Sequence, residues 1–338
     1  MKTALPLTSI FWGLLIACQL HAQDGHFSQF YNAPLSMNPA LTGAFDGDMR
    51  FVGNYRNQWF SVPVPYTTFA GSYDQKFYLP FLGDAYIGGG LVFNYDRAGD
   101  ANLSWSQVAL SASYHQPLSD EQFLSGGFSL GFGQRAFDPD LLTFDDQFNG
   151  DVFDPNVMTQ QSFRQTSSGY FDLSVGANWT YQSERSRNHL KIGFGFSNLT
   201  QPNITFLDDA SMQLPMLLHV HALGILELND EFDINGFAIW QNQSAYNEAV
   251  IGASTTYHHM PKNQNEIALT AGLAYRLNDA LIAILEASYL NWHVGVSYDI
   301  NTSDFAAATN GNGGPEISIR YIIARVKPPE EFKACPIF

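Results

Sequence analysis

A few groups of residues in this chain have types and spacing that could do chemistry. Gly127-Phe128-Ser129-Leu130-Gly131 spells the G-x-S-x-G nucleophile elbow, which works because its serine sits on a strained strand-to-helix turn. Here the alternation of apolar and polar residues continues on both sides and no helical pattern follows, so Ser129 reads as a mid-strand residue. Gly88-Gly89-Gly90 and Gly193-Phe194-Gly195 likewise lead into no helix that could cradle a phosphate. His219-Val220-His221 puts two imidazoles on one face of a strand, a spacing able to grip a metal. No Cys or carboxylate stands nearby to complete that site, and histidines lining a polar interior are the simpler reading. Asp138, Asp140, Asp145, Asp146, Asp151 and Asp154 crowd one segment. Oxygen clusters suit hard cations, but this spacing does not fit the twelve-residue Ca²⁺ loop. A solvated acidic loop is the plainer account, with Ca²⁺ binding the alternative. No catalytic residue, metal ligand or cofactor is assigned on these grounds.

The elements that must position such residues are strands. In 124–134, Leu124, Phe128, Leu130 and Phe132 alternate with Ser125, Gly127, Ser129, Gly131 and Gly133. The same period of two runs through 170–182, 190–198, 266–276 and 316–323, where Glu316, Ser318 and Arg320 oppose Ile317, Ile319 and Tyr321. Successive side chains on a strand point to opposite faces, so this is a strand signature. Such segments fall near 49–59, 66–77, 85–97, 102–116, 121–137, 169–182 and 188–200, then 214–228, 231–242, 247–259, 265–276, 279–289, 291–300 and 315–325. Soluble strands average about 5–6 residues, whereas a tilted membrane strand needs about 9–11, and these belong to the longer class. One face is apolar, fit for lipid; the other is small and polar, as a barrel interior is.

Connection lengths agree. The longest, 138–168, 201–213 and 301–314, follow odd-numbered strands and so share one side, while Pro117-Leu118-Ser119-Asp120, Asn229-Asp230 and Leu290-Asn291 are short turns on the other. Outer-membrane barrels show this asymmetry, with long exterior loops and short periplasmic turns. The expected fold is an all-β, transmembrane, antiparallel up-and-down β-barrel of about fourteen strands. Trp59, Tyr66, Tyr95, Trp105, Tyr114, Tyr181, Trp240, Tyr257, Trp292 and Tyr298 near segment ends are candidates for its interfacial girdles.

Composition fits this. The 338 residues are 45% hydrophobic, 14% aromatic and only 14% charged, with 16 Lys+Arg against 32 Asp+Glu and a net charge of −16. That argues against disorder, which couples low hydrophobicity with high charge, and disfavours nucleic acid, which needs a positive field. At the N-terminus, Met1-Lys2 precedes the apolar run Ile10–Ala17, too short to span a bilayer. It reads as a secretory signal cleaved between Ala22 and Gln23; the alternative is a lipoprotein signal with Cys18 lipidated. Cys335, the other cysteine, lies alone in the tail. The expected division is a signal over 1–22, a periplasmic or plug segment over 23–48, a barrel over 49–326 and a tail over 327–338.

The residues at both ends carry a family resemblance. Gln23-Asp24-Gly25-His26-Phe27-Ser28-Gln29-Phe30-Tyr31-Asn32-Ala33-Pro34-Leu35, Met37-Asn38-Pro39-Ala40-Leu41-Thr42-Gly43 and Tyr55-Arg56-Asn57-Gln58-Trp59 resemble the opening of the PorP/SprF family of Bacteroidetes type IX secretion and gliding proteins. Ser297-Tyr298-Asp299-Ile300-Asn301, Gly313–Tyr321 and Cys335-Pro336-Ile337-Phe338 resemble its ending. The resemblance implies a non-enzymatic barrel in the outer membrane of a Gram-negative cell, with both termini periplasmic. It also implies contacts with outer-membrane lipid, with periplasmic type IX machinery, and with a secreted adhesin-like substrate bearing a type IX C-terminal domain. From the residues themselves, the segment His26–Gly43 is too aromatic and too poor in charge for a free tail. It is expected either to plug the lumen or to bind a partner through His26, Phe27, Phe30 and Tyr31. The long loop around Asp145 and Asp146 is a second candidate contact. A transport channel for hydrophobic or small solutes is the rival function; a surface enzyme such as a phospholipase is a third class, which needs a Ser/His pair at the barrel rim, whereas Ser129 reads as mid-strand.

Overall fold

The computed structural model describes residues 27–59, 66–148, 152–154, 157–163, 165–206, 212–259, 265–303 and 306–324. The signal, Cys18, Ala22, Gln23, His26, Asp151 and the tail with Cys335 lie outside the described residues.

Fourteen antiparallel strands close into one ring in which each strand pairs with its sequence neighbours and the first pairs with the last. They are β1 (Met49–Gln58), β2 (Tyr66–Phe77), β3 (Tyr86–Ala98), β4 (Leu103–Ser119), β5 (Gln122–Ala136), β6 (Ser167–Gln182) and β7 (His189–Ser197). The second half is β8 (Leu217–Glu227), β9 (Phe232–Gln243), β10 (Tyr246–His259), β11 (Ile267–Arg276), β12 (Ala280–Tyr289), β13 (Trp292–Asn301) and β14 (Asn312–Ile323). Closure runs from Met49↔Ile323 to Arg56↔Glu316. A closed ring leaves no edge groups unpaired, the condition for a sheet to stand in lipid. Among the described residues no helix is long and apolar enough to cross a membrane.

Alternation sets the two faces. On β5, Leu124, Phe128, Leu130 and Phe132 are exposed outward while Ser125 is buried inward. The expected small, polar interior holds for one part of the ring, with Ser111, Ser113, Ser125, Asp172, Ser174 and Asn178 buried. It fails on β9–β12: Phe237, Ile239, Val250, Ala274, Ile282 and Ile284 face inward and are buried in an apolar cluster with Phe30, Met37, Leu41 and Ala44. The N-terminal segment covers that wall, so both faces of those strands are dry and both are apolar. Trp105 also departs from the expected girdle. It turns inward, where its Nε1 donates to the Tyr170 hydroxyl at 2.7 Å.

The end at which β1 begins and β14 ends is termed proximal, the other distal. The connections 137–166, 198–216 and 302–311 follow β5, β7 and β13 and lie together at the distal end. Pro117-Leu118-Ser119 belongs to β4 and not to a turn: a register irregularity between Pro117 and Ser119 absorbs the residue that cannot donate, and the strand goes on. β14 begins before the expected 315 because Pro315, facing Tyr298, lies beyond the last pairing with β1, where no donor is needed.

Candidate functional site

Residues 27–48 run inside the barrel from its distal half to the proximal end, through short helical turns at Phe30–Asn32, Pro34–Met37 and Pro39–Leu41. Pro34 and Pro39 start two of these turns, where a missing N–H costs nothing. Three anchors hold the plug.

The distal anchor is ionic. The Ser28 and Gln29 N–H groups donate to the two carboxylate oxygens of Glu316 at 2.7 and 2.8 Å. Ser28 Oγ donates to Asp299 at 2.8 Å and accepts from Arg276 Nη2 at 2.6 Å. Asp299 in turn pairs with Arg56 at 2.8 Å and Arg276 at 3.1 Å, and Arg276 reaches Asp279 at 3.0 Å. Every one of these charges except Asp279 is almost wholly buried, so the pairs persist only because partners and hydrogen bonds satisfy them together.

The middle anchor is a side-chain lattice. Gln29 donates to Ser297 at 3.0 Å and accepts from Ser318 at 2.7 Å. The Tyr31 hydroxyl and Asn32 Nδ2 both donate to Glu286, at 3.0 and 2.9 Å. Burial first, then the neighbouring Glu286 carboxylate, pushes the Tyr31 phenol well above its ordinary range, so it stays a donor. Phe30 and Tyr31 meet the Phe237 ring at 6.0 and 4.8 Å.

The proximal anchor depends on close approach. Asn38 Nδ2 donates to the carbonyls of Ala177 and Phe194 at 3.2 and 3.1 Å. Beneath it lie Gly127 and Gly176, direct partners across β5 and β6. The Thr42 carbonyl accepts from Ser113 Oγ at 2.6 Å and His115 Nε2 at 2.7 Å. Asp74 accepts from the Gly43 N–H at 2.7 Å and pairs with Arg50 at 2.7 Å.

Cavities border the plug on both sides. One of about 110 Å³, lined in part by Phe27, Leu35, Trp105 and Asp172, lies on its distal side. Another, about 420 Å³, lies on the proximal side among Lys191, Arg320, His293, Glu286 and Thr256.

The structure thus brings Phe27, Phe30 and Tyr31 together inside the lumen, where Phe27 and Phe30 are buried; in this arrangement they face barrel wall. Ser129 lies mid-strand in β5 as expected. His219 and His221 are buried in the lumen over Gly195 and Gly193, with His221 Nε2 3.2 Å from Asn178 Oδ1. Among the described residues no three His, Cys, Asp or Glu side chains group as a metal site would need. Asp145 is exposed, while Asp146 accepts from Thr159 Oγ1 at 2.9 Å and the Gln160 N–H, which fastens the distal loop to itself. Phe137, Phe144, Phe163 and Phe206 interlock, and Gln165 donates to the Thr205 carbonyl at 3.0 Å, joining loops 137–166 and 198–216. The sequence reading missed the ionic anchor. Its signal was there: in a chain with only 14% charged residues, Arg56, Glu248, Arg276, Asp299 and Glu316 all occupy inward strand positions, where a charge in a spanning segment needs a reason.

The sequence profile of the family described as type IX secretion system membrane protein PorP/SprF matches residues 19–321. No curated protein matches the chain. Among solved structures, the Ralstonia pickettii toluene transporter TbuX is 12% identical with a TM-score of 0.47, covering 86% of this chain and 94% of that one. The Pseudomonas putida toluene transporter TodX is 13% identical with a TM-score of 0.47, over 87% and 94% of the two chains. A Pseudomonas aeruginosa FadL homologue is 12% identical with a TM-score of 0.47, over 84% and 92%. Likenesses at this level concern barrel shape alone.

Proposed function

Because the chain belongs to the PorP/SprF family of type IX secretion system membrane proteins, we propose that this outer-membrane barrel assists export or surface anchoring of one adhesin-like substrate bearing a type IX C-terminal domain. It acts by docking and without catalysis. The distal loops face the exterior and both termini the periplasm, where further machinery binds; the signal over 1–22 is removed, and gliding is the cellular process served.

The observation that carries this reading is the distal loop surface. Phe148 is 59%, Val152 60% and Met158 91% exposed, all on the loop after β5 that the phenylalanine cluster ties to the loop after β7. Large apolar side chains left outward on an organised loop mark an interaction site. The filled lumen agrees, since docking needs no open pore. Exchanging loops 138–168 and 301–314 for those of a paralogue is expected to abolish surface retention of the native substrate while barrel assembly persists. Unchanged retention would refute loop-based docking. The rival, solute transport, requires the plug to leave, and would be favoured by steady conductance of the unaltered protein in planar bilayers.

A further inference from the structure

The proximal cavity holds chemistry that docking does not use. Two cations enter it from opposite walls: Lys191 on β7 and Arg320 on β14, diametrically placed in a ring of fourteen strands. Lys191 Nζ donates to the plug carbonyl of Ala44 at 2.8 Å. Among the described residues no carboxylate lies within ion-pair distance of either cation, and the Arg320 guanidinium has no hydrogen-bond partner although its backbone pairs within the sheet. Each lies in the electrostatic range of Arg50, and Lys191 in that of Arg320 as well; of the acids, Asp46 acts on Lys191 and Glu286 on Arg320 from beyond ion-pair distance. Arg50 is already matched by Asp74.

The acids bordering the cavity are committed elsewhere. Asp233 holds Arg187 at 2.9 Å and His258 at 2.7 Å. Glu286 accepts from Tyr31 and Asn32 and lies 3.7 Å from His293 Nε2. Asp46, at the exposed rim, accepts from Gln182 at 3.1 Å. Hydroxyls of Ser254, Thr256, Thr270 and Ser288 complete the wall. Unpaired charge in a confined site is costly unless a counter-charge arrives. A guanidinium opposite an ammonium suits an oxyanion, because the fork gives two parallel hydrogen bonds and the lysine a point charge. The volume of about 420 Å³ is that of a small-molecule pocket.

We propose that the proximal cavity binds a small oxyanion, a phosphate or carboxylate group on a water-soluble ligand, held between Lys191 and Arg320. The continuous ring of paired strands separates the cavity from the bilayer, so the ligand enters from the aqueous phase at the proximal mouth. This inference is independent of the docking reading.

The test is thermal unfolding of the full mature chain in zwitterionic detergent, titrated with inorganic phosphate against sodium chloride at matched ionic strength. A saturable rise in Tm specific to phosphate is expected. Lys191→Met and Arg320→Met should each raise the half-saturating phosphate concentration at least tenfold. The double variant should lose the response and, freed of like-charge repulsion, melt higher than wild type without phosphate. Arg97→Gln, exposed near the distal end of β3 and away from the cavity, should respond as wild type does. A response to phosphate no larger than to chloride, or one kept by the double variant, overturns the proposal. If the variants fail to fold, the ³¹P linewidth of phosphate with the unaltered protein decides, and no broadening overturns it. Stabilisation by anionic-lipid nanodiscs in phosphate-free buffer, with none by free phosphate, would overturn the soluble source.

Discussion

Gly127 offers the sharpest test of how the plug is seated. A methyl at this position would lie 2.5 Å from the Pro39 carbonyl oxygen and 2.6 Å from the Ala40 nitrogen. Both are backbone atoms and neither can swing aside, so Gly127→Ala must lift the Asn38–Thr42 turn from β5. Overpacking of this kind costs about 1–3 kcal/mol, which multiplies the displaced population by roughly 5–150. Gly126→Ala is the matched control: the next residue faces outward, and its methyl meets only the Gly176 oxygen at 4.0 Å. Hydrogen exchange read by mass spectrometry on peptides covering 28–44 measures local opening directly. Those peptides should exchange about 5–150 times faster in Gly127→Ala than in Gly126→Ala, while strand peptides match. Equal exchange in the two variants would refute the seating of the plug on this glycine platform.

The remaining predictions follow from the same contacts. Glu316→Gln removes the anionic acceptor of two plug N–H groups. Charge-assisted bonds are worth about 1.5–3 kcal/mol, so exchange should accelerate first at 28–32 with the barrel intact. Arg276→Met removes one of the two cations paired with buried Asp299 and the cation beside buried Glu248 and should cost about 3–5 kcal/mol, measured by denaturant unfolding in lipid vesicles. Leu130, outward on β5 and 57% exposed, should lose about 2–4 kcal/mol as arginine if it faces the bilayer midplane; Leu141→Arg, in the distal loop, should change stability by less than about 0.5 kcal/mol. Asp146→Asn should expose loop 138–168 to protease, and Ca²⁺ should leave wild-type Tm unchanged, because Asp146 is already engaged by Thr159 and Gln160.

Much of the fold was legible because lipid enforces a strict pattern. Leu130 beside Ser129, and Ile317 beside Glu316, announce their faces by chemistry alone, and the alternation locates all fourteen strands to within a few residues. What misled was local context. Ile282 and Ile284 look like half of a uniformly apolar strand until the plug is seen to cover them. Trp105 near a strand end reads as a girdle residue, yet only the register places it inward. The site was half visible. Aromatic residues and scarce charge in His26–Gly43 separated this segment from a free tail. They could not show that Glu316, Asp299 and Arg276, some 250–290 residues away in sequence, converge on Ser28, because such contacts arise only when β14 closes on β1. The facing of Lys191 and Arg320 is hidden for the same reason.

The most direct test of the account is the surface proteome of a strain lacking this protein, compared with the same strain complemented by the intact gene. The account predicts that one large secreted protein with a type IX C-terminal domain disappears from the surface and returns on complementation, with solute uptake unchanged. A surface proteome that stays the same, together with lost uptake of a small solute, would contradict it.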